Sequence, residues 1–175
     1  MKITRHAYVA YGLALVVIVL DQLTKLLVLN AIGIEPVSAI RDGTHIAEVL
    51  PPIFNLTYVL NTGVSFGLFG GGAGRWVLSV FSIVVAIALA VWALRTHRGL
   101  LVAAIGLIMG GAIGNVIDRI RFGGVVDFLD FSGTGVFPWI FNIADSGITV
   151  GVVLLILDSF LSERRSTVGV ATEKS

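Results

Sequence analysis

No cysteine occurs among the 175 residues. Disulfides, thiolate nucleophiles and cysteine-ligated zinc or iron–sulfur centres are therefore excluded. Histidine numbers only three, so a metal centre built on imidazole has little to draw on. Charge is scarce as well. Asp, Glu, Lys and Arg make up 13% of the chain, against about 25% in an ordinary soluble domain. The net charge is +1 and the basic residues form no cluster, which leaves nothing to hold nucleic acid. What fills the chain is apolar: 56% hydrophobic residues and a mean hydropathy of +0.96. Too little polar surface remains to clothe a globule in water, so the composition points to a membrane protein.

Four apolar runs, about 7–29, 75–94, 100–120 and 141–161, are long enough for the ~20 helical residues that cross a bilayer. Lys2 and Arg5 before the first run imitate a signal peptide, but no small-x-small cleavage site follows. The run continues through Asp21 to Leu29, as an uncleaved helix does. Seven of the 12 basic residues (Lys2, Arg5, Arg95, Arg98, Arg164, Arg165 and Lys174) flank the runs on one side. By the positive-inside rule both termini are cytoplasmic. Residues 30–74 and 121–140 are then extracytoplasmic, and residues 1–175 form a single integral membrane domain.

The outer segments carry structure of their own. Ile53 to Leu60 is aromatic and β-branched, which predicts a strand, and Asn61-Thr62-Gly63 is a turn signal. The expected fold is mainly α: four transmembrane helices with a small extracytoplasmic β-sheet and a second extracytoplasmic loop or helix.

Polar residues in or beside such helices are costly and carry the functional information. Here they converge at one depth. Asp21 and Lys25 end the first helix; Asn115, Asp118 and Arg119 end the third; Asn142 and Asp145 begin the fourth; Asp127 and Asp130 lie between, and Asn61 follows the strand. Asp21 and Lys25, four apart, share a helix face and can pair, either to soften a helix end or to organise a site. Arg119 can snorkel to the interface or point inward to a carboxylate. Asp118 lies on another face and reads as structural, and Asp158 as an inner-interface residue.

Asp127 and Asp145 admit two readings. Two carboxylates in one low-dielectric pocket share a proton, so one can take a proton from water while the other gives one to a carbonyl. Alternatively each caps a helix, as Asp145-Ser146 at the head of an apolar run suggests. Spacing alone leaves both open. Two other motifs weaken on inspection. Gly63 to Gly67 matches G-x-S-x-G, but a glycine run follows at once and only His45 lies on that side to serve as base. Gly110 to Asn115 resembles a phosphate loop, yet lies inside a membrane run, where glycines serve close helix packing. No G-x-G-D occurs. A proton channel or transporter would need ionisable groups across the bilayer, and the second run has none between Arg75 and Arg95. A purely structural assembly factor remains the other alternative.

Taken together, DQLTK (21–25), NTGVSFG (61–67), GGAIGNVIDR (110–119), GGVVDF (123–128) and FNIADS (141–146) follow the order of the five boxes of lipoprotein signal peptidase, or signal peptidase II. The chain resembles that family over nearly its whole length. The resemblance implies a four-helix aspartic endopeptidase of the bacterial inner membrane with an extracytoplasmic β-cradle. Such enzymes remove the signal peptide of prolipoproteins just before the diacylglyceryl-modified cysteine, without cofactor or metal. It implies Asp127 and Asp145 as the catalytic dyad. Asn115, Arg119 and Asn142 would line the site, and Asp21, Lys25, Asn61, Gly63 and Gly111 would shape the cradle and groove. Diacylglyceryl-modified prolipoproteins, membrane lipid and globomycin-type inhibitors are the implied partners, and a monomer is expected. Val64-Ser65 stands where many relatives have Ala-Ala, a departure that bears on the shape of the pocket.

Overall fold

The computed structural model describes residues 4–33, 37, 40–63 and 73–172, with side chains described as far as Ser162. Lys2, Val64, Ser65, most of the G-x-S-x-G match, Gly70 to Gly72, Lys174 and the side chains of Arg164 and Arg165 lie outside the described residues.

Four helices run through the chain: α1 (Arg5–Ile32), α2 (Ala73–Ala93), α3 (Gly99–Phe122) and α4 (Ile143–Thr172). Each is long and apolar enough to cross a membrane. In α1 the buried positions are Ala7, Ala10, Ala14, Val17, Asp21, Lys25 and Val28, a stripe at helical spacing made of small and charged residues. The large aliphatic side chains, Leu15, Val16, Leu20, Leu23 and Leu27 among them, face outward. This inverts the water-soluble pattern, as lipid solvent requires. Helix α3 is the centre of the bundle and the most enclosed of the four. A Cβ on its Gly106 or Gly110 would stand 2.7 Å from the Ala10 or Ala14 carbonyl oxygen of α1. Glycine lets these backbones touch, which answers the phosphate-loop alternative.

The sheet has the order β1-β2-β3-β4 and is antiparallel throughout, with β1 (Thr44–Leu50), β2 (Phe54–Asn61), β3 (Val125–Asp130) and β4 (Ile140–Phe141). The second outer segment contributes two of these strands and, between them, a 3₁₀ turn at Ser132–Thr134. Strand β1 falls in the segment that reads only as mixed and polar in the sequence. Val37, Ile40, Tyr58 and Val126, with Leu29, Ile32 and Phe122 against them, form the apolar seat that fixes the sheet to the ends of α1 and α3. Gly123, at φ +82°, ends α3 in the left-handed conformation and swings the chain directly into β3. That turn places Asp127 over the end of the bundle.

Candidate active site

Asp127 reaches the site from β3, buried to 2% exposure. Its Oδ2 accepts a 3.0 Å hydrogen bond from Asn61 Nδ2, and its Oδ1 a 2.6 Å bond from Asn142 Nδ2. The sheet register explains the first. Val59 stands opposite Asp127, so Asn61, two residues on, shares its face as a diagonal neighbour. Gly63, at φ +72°, folds back so that its N–H donates to Asn61 Oδ1 at 2.9 Å, leaving Nδ2 aimed at Asp127.

Asp145 comes from the first turn of α4. Its Oδ1 accepts from Asn115 Nδ2 of α3 at 2.8 Å. Asn142 Nδ2 also lies 3.4 Å from Asn115 Oδ1. Among the described residues no hydrogen bond joins the two carboxylates directly. They are the ends of a chain, Asp127–Asn142–Asn115–Asp145, in which each amide presents a donor to a carboxylate.

The helix-cap alternative fails for both aspartates. Asp127 lies in a strand. The cap of α4 is Asn142, whose Oδ1 accepts from the Asp145 N–H at 2.9 Å. A second cap comes from α1, where Asp21 Oδ1 accepts from Ala144 N at 2.9 Å. With both N–H groups served by others, the Asp145 carboxylate is left free for other work.

Beneath the dyad lies a sealed ionic cluster. Lys25 Nζ sits 2.8 Å from Asp21 Oδ2 and 2.7 Å from Asp118 Oδ2, all three at or below 2% side-chain exposure. Lys25 also stands 3.5 Å from Asn115 Oδ1. Asp118 accepts from Gln22 Nε2 at 2.9 Å and from Val126 N at 3.0 Å. It thereby ties α1, α3 and β3 together one residue before Asp127. Its reading as structural holds, but it belongs to the Asp21–Lys25 group, a membership that helix-face arithmetic on one helix cannot reveal. Gln22, a neutral residue at a helix end, carries no signal in the sequence that marks it for this group. Gly111 sits where α3 meets α4, its missing Cβ facing the Ala144 carbonyl and Ile148.

The electrostatics separate the carboxylates. Burial, then the charge of Asp145, pushes Asp127 up to about 7, although Asn61, Asn142 and Lys25 pull the other way. Asp130, three residues along the same strand, goes down instead. Burial opposes its charge, but hydrogen bonds from the Ser132 hydroxyl, Thr57 hydroxyl and Ser132 N–H outweigh it. Arg119 is half-buried, within electrostatic reach of Asp145, Asp118 and Asp127, and its Nη1 lies 3.5 Å from the Asn115 carbonyl. Among the described residues it makes no ion pair or hydrogen bond to a carboxylate, so the choice between interface anchor and inward donor stays open. Among the described residues no three His, Asp or Glu side chains gather as a metal-holding group.

Two cavities open at Asp145. One, about 290 Å³, descends between α2, α3 and α4 from Asn115 and Arg119 past Ala112 and Ile148 to Phe81 and Ile108. The other, about 340 Å³, is walled by Phe137, Trp139, Phe141, Thr149 and Val150. A polar centre thus faces two apolar grooves.

The family model for signal peptidase (SPase) II matches residues 13–161. The chain belongs to the signal peptidase II family. Curated relatives include the lipoprotein signal peptidase of Caulobacter vibrioides, 53% identical over 93% of either chain. That of Beijerinckia indica is 40% identical over 86% of either chain. A bacterial membrane enzyme solved by the in meso method at 1.9 Å superposes with a TM-score of 0.71 at 32% identity, covering 85% of this chain and 90% of its own. A second such structure, at 2.3 Å, gives 0.71 at 31% identity, over 88% of either chain. The fold of four spanning helices and a small sheet, and the signal peptidase II character, stand on these likenesses. So does a multi-pass place in the membrane.

Proposed function

We propose that this signal peptidase II is an aspartic endopeptidase that removes the signal peptide of prolipoproteins just before the diacylglyceryl-modified cysteine, with Asp127 and Asp145 as its catalytic pair. The observation that carries the proposal is the pair itself: a carboxyl that keeps its proton to about pH 7, joined through two asparagines to a second carboxylate where two apolar grooves meet.

The division of labour follows from the charges. With Asp127 protonated, Asp21, Asp118 and Asp145 are set against Lys25 and Arg119, one negative charge in excess; ionising Asp127 would add a second in a water-poor pocket. Asp127 is therefore the acid and Asp145 the base. Asp145 takes a proton from water as the oxygen attacks the scissile carbonyl carbon, and Asp127 gives its proton to the carbonyl oxygen. The resulting diol collapses when Asp145 returns its proton to the amide nitrogen and Asp127 takes one from a hydroxyl. The C–N bond breaks and both carboxyls regain their starting states. Asn115, Asn142 and Arg119 orient the two carboxyls. Asp21 and Lys25 hold α4 and Asn115 in place, and Asn61, Gly63 and Gly111 shape the groove.

A lipidated, membrane-borne substrate suits a centre reached sideways from the bilayer, with one groove for acyl chains and one for the signal segment. We place the sheet outside the bacterial inner membrane and both termini in the cytoplasm, on the distribution of the basic residues. Residues 1–175 would act as one monomeric membrane domain, and globomycin-type peptides would occupy the same centre. Gel-shift assay of a diacylglyceryl-modified prolipoprotein tests the reading. Asp127→Asn and Asp145→Asn should leave the precursor uncleaved while the protein remains inserted and folded; substantial cleavage by either removes that residue from the pair.

A further inference from the structure

Strand β3 leaves the end of α3 and runs outward, so the far end of the sheet overhangs the bundle. Two tips form that end. Around the β1–β2 turn, Val49, Leu50 and Ile53 are exposed; between the 3₁₀ turn and β4, so are Val136, Phe137 and Trp139, Val136 to 88%. Residues 49–61 and 131–144 hold no Asp, Glu, Lys or Arg. At the other end of the sheet the pattern is that of a surface in water, with Arg41 and Asp42 exposed just before β1.

The two tips are one body. A Cβ on Gly133 would meet the Pro52 carbonyl, so the backbones touch. Phe54 stacks on Phe131 with ring centroids 4.9 Å apart, Phe131 on Phe141 at 5.6 Å, and Phe137 meets Phe141 edge-on at 5.9 Å. This aromatic ladder ties the hairpin to the entrance of α4. Depth then decides what covers the tips. The apolar span of α4, Ile143–Ser162, is 20 residues long, what a ~30 Å hydrocarbon layer requires, so Ile143 marks the boundary of that layer. Phe137 and Trp139 wall the same cavity as Thr149 and Val150. Val150 lies about 10 Å inside the boundary at ~1.5 Å of rise per residue. Through that cavity the surface runs on to Val150 and, one turn deeper, Val153, both exposed on α4.

A contiguous apolar surface left exposed on a folded chain marks a protein or membrane contact. Here the surface is continuous with a lipid-facing helix, and its exposed Trp139 is of the type that collects where lipid meets water. We propose that both tips dip into the leaflet on the sheet side of the membrane, so that the chain is held in lipid by its sheet as well as by its helices. Glu48, the last charge before the hairpin tip, stays at the headgroup level. The mouth of the cavity at Asp145 then opens beneath the lipid surface. A molecule dissolved in that leaflet reaches it without entering water, whatever chemistry Asp145 performs there.

Because the chain has no cysteine, one introduced thiol carries one spin label. Leu50→Cys, Ile53→Cys and Val136→Cys, in the full-length protein in bilayers of phosphatidylethanolamine and phosphatidylglycerol, are compared with Val153→Cys on α4 and Asp42→Cys at the watery end of the sheet. Collision of each label with dissolved oxygen, which concentrates in lipid, is measured against collision with a water-soluble nickel chelate. The oxygen-to-nickel ratio at the three tip positions should lie between those at Asp42 and Val153 and exceed the former at least fivefold. A ratio at Leu50 and Val136 as low as at Asp42 overturns the proposal. Labels that neither reagent reaches would put a second copy or another protein over the tips and overturn the lipid assignment. Trp139 gives a reading that needs no thiol. The part of the wild-type emission that is lost in Trp139→Phe should be quenched several-fold more strongly by phosphatidylcholine brominated on its acyl chains than by iodide in the water. The reverse order overturns the proposal, even if a labelled variant does not fold.

Discussion

The two groups of carboxylates at the sheet end of this bundle are built on opposite plans. Asp21 and Asp118 are sealed from solvent against a lysine, and their remaining oxygen sites are taken by Ala144 N, Gln22 and Val126 N. Asp127 and Asp145 are held by neutral amides instead, and Asp145 opens on two cavities. A lysine would have fixed both of the latter as anions. An asparagine holds a carboxyl in position while leaving its proton free to come and go. On the proposed reading, the difference between scaffold and chemistry is written in the type of donor.

The comparison can be broken first at the dyad. Asp127→Asn or Asp145→Asn should cut prolipoprotein cleavage by at least the ~10²–10⁴-fold typical of a general acid or base, while the protein remains folded and inserted. In the sealed cluster the expectation reverses. Lys25→Met strands two buried carboxylates and should cost about 3–5 kcal/mol of stability, so melting temperature and activity fall together. A Lys25→Met protein with normal stability and no activity would move the lysine from scaffold to chemistry.

Smaller effects sharpen the boundary. In Gly111→Ala the new methyl meets the Ala144 carbonyl and would stand 2.7 Å from Ile148 Cγ1. It should push α4 off α3 at a cost of about 1–3 kcal/mol, seen as a lower kcat with little change in KM. The pH profile comes next. With Asp127 the acid, at about 7, activity should decline as the pH rises through that value. Asn61→Ala removes a donor that favours the ionised form, so the alkaline limb should move to higher pH. A limb that moves down or stays would show that Asn61 does not govern Asp127. Last, the folded chain keeps on Asp127 a proton that an ordinary carboxyl releases near 3.8. Its contribution to stability therefore falls as pH rises from about 4 to about 7 and is level above. Denaturation of wild type against Asp127→Asn across that window should show the slope in the wild type alone.

Much of this was legible from the sequence because lipid is an intolerant solvent. A chain with 13% charged residues has few reasons to keep an aspartate in an apolar run, so each one stands out, and their common depth marks the site. What escaped has equally physical causes. Strand β1, THIAEVL, carries a glutamate and a histidine among its apolar residues and pairs only at the edge of the sheet. Asp118 lies on a face of α3 away from Arg119, and only the packing of α1 beside it brings Lys25 within 2.7 Å. Asn142 outcompetes Asp145 as cap because the first residue before the helix, not the aspartate three further on, has its side-chain oxygen at the open N–H groups.

The bond from Asp21 to Ala144 spans 123 residues of chain, and the bond from Asn115 to Asp145 requires α4 to be seated. During synthesis, therefore, three inserted helices and the finished strand β3 would still lack one member of the proposed catalytic pair. On the proposed reading the catalytic pair is completed only by the last membrane segment, and a truncated or half-threaded chain would be proteolytically silent.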